Sequence, residues 1–141
     1  MLTLGTDKYG DAALLVSRFL LVLLFLIFGW DKLTGFSGTI GYMAHEGLPV
    51  PALAAVIAVV MEFGVGLALL AGFLTRPLAL LLLVYTFATA LIGHPYWTMT
   101  GMNQFMAEIN FYKNISIMGG LLALYVAGPG RFSLDRVLGL A

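Results

Sequence analysis

Apolar residues fall in four long runs, roughly 12–30, 52–72, 77–94 and 111–128, each interrupted by few polar side chains. A helix that crosses about 30 Å of hydrocarbon needs roughly 20 predominantly apolar residues, so each run is of spanning length. Gly72-Phe73-Leu74-Thr75-Arg76-Pro77 breaks the apolar stretch between Ala52 and Ile92. Pro77 suits the first turn of a new helix, which predicts two spans joined by a tight turn. The first run lacks a small-residue cleavage site and is followed by Trp30, Asp31 and Lys32 and then by further spans, so it reads as a retained helix rather than a signal peptide. The connections 31–51 and 95–110 are longer than a helical hairpin needs. Phe36, Ile40, Tyr42 and Met43 in one, and Trp97, Met102, Phe105 and Met106 in the other, predict short interfacial helices or caps over the bundle mouth.

Composition strengthens this picture. Of the 141 residues, 61% are hydrophobic and 10% charged, with a mean hydropathy of +1.00. A soluble domain is about 25% charged. The length allows one compact domain, residues 1–141, and the expected fold is an all-α integral membrane four-helix bundle. The lipid bilayer is its first partner. Formal charge is zero and no basic run occurs, which leaves nucleic acid without its main driving force. With no cysteine, thiol nucleophiles, disulfide relays and thiolate metal sites are excluded. Lys8, Arg18, Arg76, Arg131 and Arg136 flank one side of the spans, against Lys32 and Lys113 on the other. Basic residues near helix ends are retained inside, so both termini are expected in the cytoplasm and the two long connections outside.

Glu62 stands about ten residues from either end of the second run, near mid-membrane, where a carboxylate is costly and ordinarily faces a partner or a cavity. Ala54, Ala58, Glu62 and Gly66 make one stripe of small residues around it, and Gly64, Ala68 and Gly72 a second; close helix contact is expected along both. Arg18 lies roughly 9 Å, and Glu62 roughly 15 Å, from the inner side at 1.5 Å per residue. An arginine reaching outward meets that carboxylate, so Arg18 and Glu62 are the expected intramembrane charge pair. Snorkelling of Arg18 to the headgroups, and a purely structural lock, stay open beside this.

A second polar group gathers toward the outer side: Asp31, Lys32, His94, Trp97, Gln104, Glu108, Lys113 and Asn114. Among them His94, Trp97, Lys113 and Asn114 are the candidate ligand-binding residues, since donors beside aromatics suit the carbonyls of a quinone head whose tail stays in lipid. Interface decoration is the competing reading. His45 and Glu46 are adjacent rather than one turn apart and His94 has no second histidine at ligand spacing, so no metal site is assigned.

The order of these features resembles DoxX-like membrane proteins. The resemblance rests on Arg18, on Gly29-Trp30-Asp31-Lys32-Leu33, on Gly47-Leu48-Pro49, on Glu62 in a glycine-rich second helix and on the Gly72 to Arg76 turn. It continues through Phe111-Tyr112-Lys113-Asn114 to Gly119-Gly120, and ends on Gly128-Pro129-Gly130-Arg131-Phe132-Ser133-Leu134-Asp135. It implies a four-helix bundle in the bacterial cytoplasmic membrane. The family name is associated with a membrane subunit of a thiosulfate:quinone oxidoreductase, so the resemblance implies a redox-associated subunit with a quinone, no covalently bound cofactor, and a redox partner protein or a second copy as protein partners. A non-enzymatic scaffold, assembly factor or small transporter is the alternative.

Overall fold

The computed structural model describes residues 6–141, with side chains from Tyr9 onward; Lys8, used in the charge count above, lies outside those described side chains. Among the described residues the chain is all helical, without strands. Helix α1 covers Thr6–Thr34 and α2 Phe36–His45; α3, Pro51–Val59, passes through a π-helical turn, Val60–Val65, into α4, Gly66–Ala71. Then come α5, Thr75–Gly93, a 3₁₀ turn at Tyr96–Thr98, α6, Gly101–Ala127, and the short α7, Leu134–Val137.

Among the described residues, three helical segments are long and apolar enough to cross a membrane: Tyr9–Thr34, Pro51–Ala71 and Thr75–Thr98. Helix α6 is long enough but less apolar, because Glu108, Asn110, Lys113 and Asn114 interrupt its first half. It packs along α5 more extensively than any other helix pair. Its start corrects the sequence reading: Met102, Phe105 and Met106 belong to α6 itself rather than to a separate cap. No proline or glycine follows Gly101 until Gly119, so nothing stops the helix where the apolar run fades.

The buried stripe of α1 is Arg18, Val22, Phe25 and Gly29, a three-to-four residue spacing that keeps one face toward the bundle. Val22, Phe25, Val65, Leu69, Leu82 and Leu121 form the main apolar core, and a smaller cluster of Met43, Ala55 and Ala58 lies beneath α2. Ala58, Glu62 and Gly66 face inward as expected. Gly64 does not: it is exposed, with open space where a Cβ would stand, so the second expected stripe makes no close contact there. One helix face suffices for packing against α1.

The predicted break at 72–77 is a left-handed turn. Gly72 has φ 73° and caps α4, and Leu74 takes φ 47° at the start of α5. A side chain at Gly72 would collide with Arg18 Nη1 and the Ser133 Cβ, so only glycine fits. Leu74 is held in a region that non-glycine residues rarely occupy. The compensation comes from 60 residues on: Asp135 Oδ1 accepts from the Leu74 N–H at 2.7 Å and Oδ2 from the Thr75 N–H at 2.9 Å, capping α5. Asp135 N donates to Gly72 O at 2.9 Å, and Arg131 N donates to Asp11 Oδ1 at 2.8 Å. The C-terminal segment thus straps α1 to the α4–α5 turn.

Burial pushes the Asp135 carboxyl up, but the N–H groups of Thr75 and Leu74 and the Arg18 guanidinium outweigh it and hold the group below its ordinary value. Its contribution to stability is therefore present above the ordinary carboxylate pKa of about 3.9 and is lost as pH falls through the lower folded value. Asp135→Ala should cost on the order of 1–3 kcal/mol in thermal unfolding in mild detergent, and Asp135→Asn less, because an amide oxygen still caps. Acidification below about pH 4 should narrow the gap between wild type and Asp135→Asn.

Candidate ligand-binding site

The site is built where α1 meets the π-helical turn. A Cβ on Gly29 would stand 2.7 Å from Phe63 N and 3.0 Å from Glu62 C, so the α1 backbone lies directly against that turn. π-turns inside α-helices occur frequently at functional sites. Here the widened turn carries Glu62, which is 7% exposed. Its Oε1 accepts from Lys32 Nζ at 3.0 Å and its Oε2 from the Tyr85 hydroxyl at 2.9 Å. Three helices therefore converge on one carboxylate.

This geometry corrects the expected charge pair. Arg18 is fully buried, donates to the Phe132 carbonyl and faces Asp135, at the end of the bundle that holds the Gly72 turn. Helical rise places the two depths within reach, but the side chain of Arg18 runs toward the strap, where a carbonyl and a carboxylate wait. Nor does the Arg18 side chain reach the protein surface. The cation on Glu62 is Lys32, read from sequence as an interface residue, whose long stem carries its charge back into the bundle.

Glu62, Lys32 and Tyr85 border a cavity of about 700 Å³. Its walls are apolar, from Leu24, Phe25 and Phe28 of α1, Ile57 and Ala58 of α3 and Ala88 and Ile92 of α5, and α2 covers it with Thr39, Tyr42 and Met43. Volumes of roughly 300–1,000 Å³ with few polar groups are usual for small-molecule sites. His94, Lys113 and Asn114 line the cavity, as do Asp31 and Glu46. The outer polar residues thus converge in part. Trp97 does not reach it: exposed in the 3₁₀ turn, it packs edge-on to Tyr96 at 5.3 Å and Phe111 at 5.7 Å. Glu108 borders a shallow groove with Phe105, Ile109, Tyr112 and Lys113, the last lining both groove and cavity, and Gln104 is exposed.

Asn114 was expected as a ligand donor. Its amide NH₂ is already committed to Thr86 O at 3.2 Å and Thr89 Oγ1 at 3.1 Å, tying α6 to α5 and leaving only its carbonyl oxygen. Lys113 bonds Asn110 Oδ1 at 3.2 Å. Sequence reading missed Tyr85; it placed Tyr42 in a cap over the bundle mouth, where α2 holds it, and weighed Glu46 only for metal. Tyr85 lies in an apolar run where an aromatic reads as core; only its spacing from Thr89 and Ala88 on one face hints at a shared wall. Burial and the neighbouring Glu46 carboxylate push the Tyr42 phenol above its ordinary value, which keeps it a neutral donor over the cavity. His45 Nδ1 stands 3.7 Å from Glu46 Oε1, and no group of three metal-binding side chains occurs among the described residues.

Helices packed around a cavity, with three membrane-length apolar segments among the described residues, define an integral membrane protein. The DoxX family matches residues 13–95, from the first turns of α1 to the far end of α5, and the chain belongs to that family. It is 54% identical over 139 residues to the Escherichia coli inner membrane protein YphA, covering 96% of this chain and 99% of that one. It is 43% identical over 131 residues to the E. coli inner membrane protein YqjF, covering 93% and 95%. A Caenorhabditis elegans protein described as uncharacterized, T02E1.7, is 27% identical over 82 residues, 58% of this chain and 30% of that one. No solved structure matches. The protein is a multi-pass protein of the bacterial inner membrane.

A double-mutant cycle on Lys32→Met and Glu62→Gln, read by thermal unfolding in detergent, should show coupling on the order of 1–3 kcal/mol. The cycle on Arg18→Met and Glu62→Gln should be additive to within about 0.5 kcal/mol. Coupling confined to the Arg18 cycle would restore the pairing expected from sequence.

Proposed function

We propose that this DoxX-family protein is a redox-associated membrane subunit whose cavity docks a quinone-like lipophilic molecule for a partner oxidoreductase. The observation that carries the reading is the cavity itself, about 700 Å³, with apolar walls on three helices and Lys32, Glu62, Tyr85, His94 and Lys113 at its polar end. Such a division suits a flat, oxygen-bearing head among hydrogen-bond donors and an isoprenoid tail along the apolar walls. The chain holds no cysteine, so thiol-based electron transfer falls to the partner.

In this reading α6 is the fourth span, antiparallel to α5. Arg76, Arg131 and Arg136 then lie at the cytoplasmic end with both termini, and Lys32 and Lys113 toward the outer one. The strap formed by Phe132 and Asp135 lies on the cytoplasmic side, and the cavity occupies the outer half of the membrane. Exposed apolar faces on α1, α3 and α5 are met by lipid, with a redox protein or a second copy as further partners.

Purification in mild detergent followed by mass spectrometry of extracted lipophiles tests the reading. Wild-type protein should retain a quinone in stoichiometric amount, and Ala88→Phe, which fills the cavity from α5, should lose it with little change in melting temperature. Quinone at the level of bulk membrane carry-over, equal in both proteins, would favour a scaffold or assembly factor.

A further inference from the structure

We propose that the head bound in this cavity carries a negative charge on oxygen, and that Lys113 is the residue that holds it. The inference rests on reading the cavity as a docking site, but it follows from charge bookkeeping within the cavity rather than from quinone chemistry. Glu62 has spent both oxygens, one on Lys32 and one on Tyr85. Lys32 is thereby neutralised. Lys113, half-buried, has Lys32 and Glu62 as its charged neighbours, and its hydrogen-bond acceptor is the neutral amide of Asn110. Two ammonium groups therefore share one carboxylate at the polar end.

The remaining acids of the cavity do not restore the balance. Asp31 is exposed, and Glu46 is turned toward Tyr42 and His45. Glu108, on the same helix as Lys113, makes no ion pair with it; among the described residues the carboxylate pairs are Lys32–Glu62 and His45–Glu46. An ammonium partly withdrawn from water without a carboxylate of its own is unfavourable, and a partner charge brought by the ligand offsets that penalty. Asn114 cannot serve in its place, since its donors are held by α5. The head chemistry that answers this arrangement is one negative charge on oxygen at the end of an apolar tail. A quinolate, the deprotonated reduced form of a quinone, has it; so does a fatty carboxylate.

Binding of a dansyl-labelled undecanoate and of its methyl ester to the full-length protein in mild detergent tests the assignment by fluorescence. The acid should bind roughly tenfold to a hundredfold more tightly than the ester, the usual advantage of a charge-assisted hydrogen bond. Lys113→Met should abolish the preference and Lys113→Arg should keep it. Unliganded Lys113→Met should melt no lower than wild type, because the removed ammonium had no carboxylate of its own in an ion pair. Competition by decyl-ubiquinol and decyl-ubiquinone distinguishes the sources. Displacement by the reduced form supports a quinolate, and failure of both quinone forms with the Lys113-dependent acid preference intact removes the quinone reading while the anionic head stands. Equal binding of acid and ester by wild type, no binding of either, or a preference that survives Lys113→Met overturns the proposal.

Discussion

A carboxylate in the interior of a membrane bundle must be given partners, and the way Glu62 receives them organises the cavity end of this protein. Lys32 reaches it from the end of α1, Tyr85 from α5, and the π-helical turn that carries it is pressed against Gly29. Each element is fixed by the need of one charge. Because the polar partners come from helices on different sides, the helices stand apart above the main core, and the space between them is the cavity.

The opposite end of the bundle solves a different problem. The α4–α5 turn leaves the first N–H groups of α5 without a local side-chain cap and holds Leu74 in a left-handed conformation. Asp135 supplies the cap from the C-terminal segment, while the Arg18 guanidinium donates to Phe132 O and faces Asp135 from α1. Arg18 and Glu62, the two buried charges of opposite sign that invite pairing on paper, thus serve separate ends. One closes the bundle and the other opens a site within it. Breaking the Lys32–Glu62 pair is costly, since the stranded partner keeps its charge in a low dielectric.

Hydropathy and breakers made the helices legible: the first three apolar runs lie within helices of membrane length, and Gly72 marks the turn predicted for it. The fourth run understated α6, because helix continuity depends on backbone hydrogen bonding and not on apolarity, and Asn103, Gln104 and Glu108 do not stop a helix. The lining of the candidate site was legible in part. His94, Lys113 and Asn114 were singled out by polarity near helix ends, and all three line the cavity. Their roles were not legible, since polarity does not say whether the Asn114 amide is spent on a neighbouring helix. Trp97 carried an interface signal and stays at the surface. The partner of Glu62 was missed because depth along a helix leaves open the direction in which a long cationic side chain runs. Tyr85 was missed because a phenol in an apolar run gives no sign of its hydroxyl.

The close approach of α1 to the turn that bears Glu62 holds the site together, and two glycines test it with opposite expected signs. Gly29 and Gly64 both lie in helical backbone, the first with Phe63 N 2.7 Å from where a Cβ would stand, the second facing open space. Thermal unfolding of Gly29→Ala and Gly64→Ala, side by side in the same detergent, is the measurement. Gly64→Ala should be neutral or stabilising by up to about 1 kcal/mol, the ordinary helix gain of alanine over glycine. Gly29→Ala should destabilise by on the order of 1–3 kcal/mol, as overpacking does, because α1 must back away from Glu62. A Gly29→Ala protein as stable as wild type, or stabilised like Gly64→Ala, would contradict the claim that α1 holds this turn and its carboxylate in place.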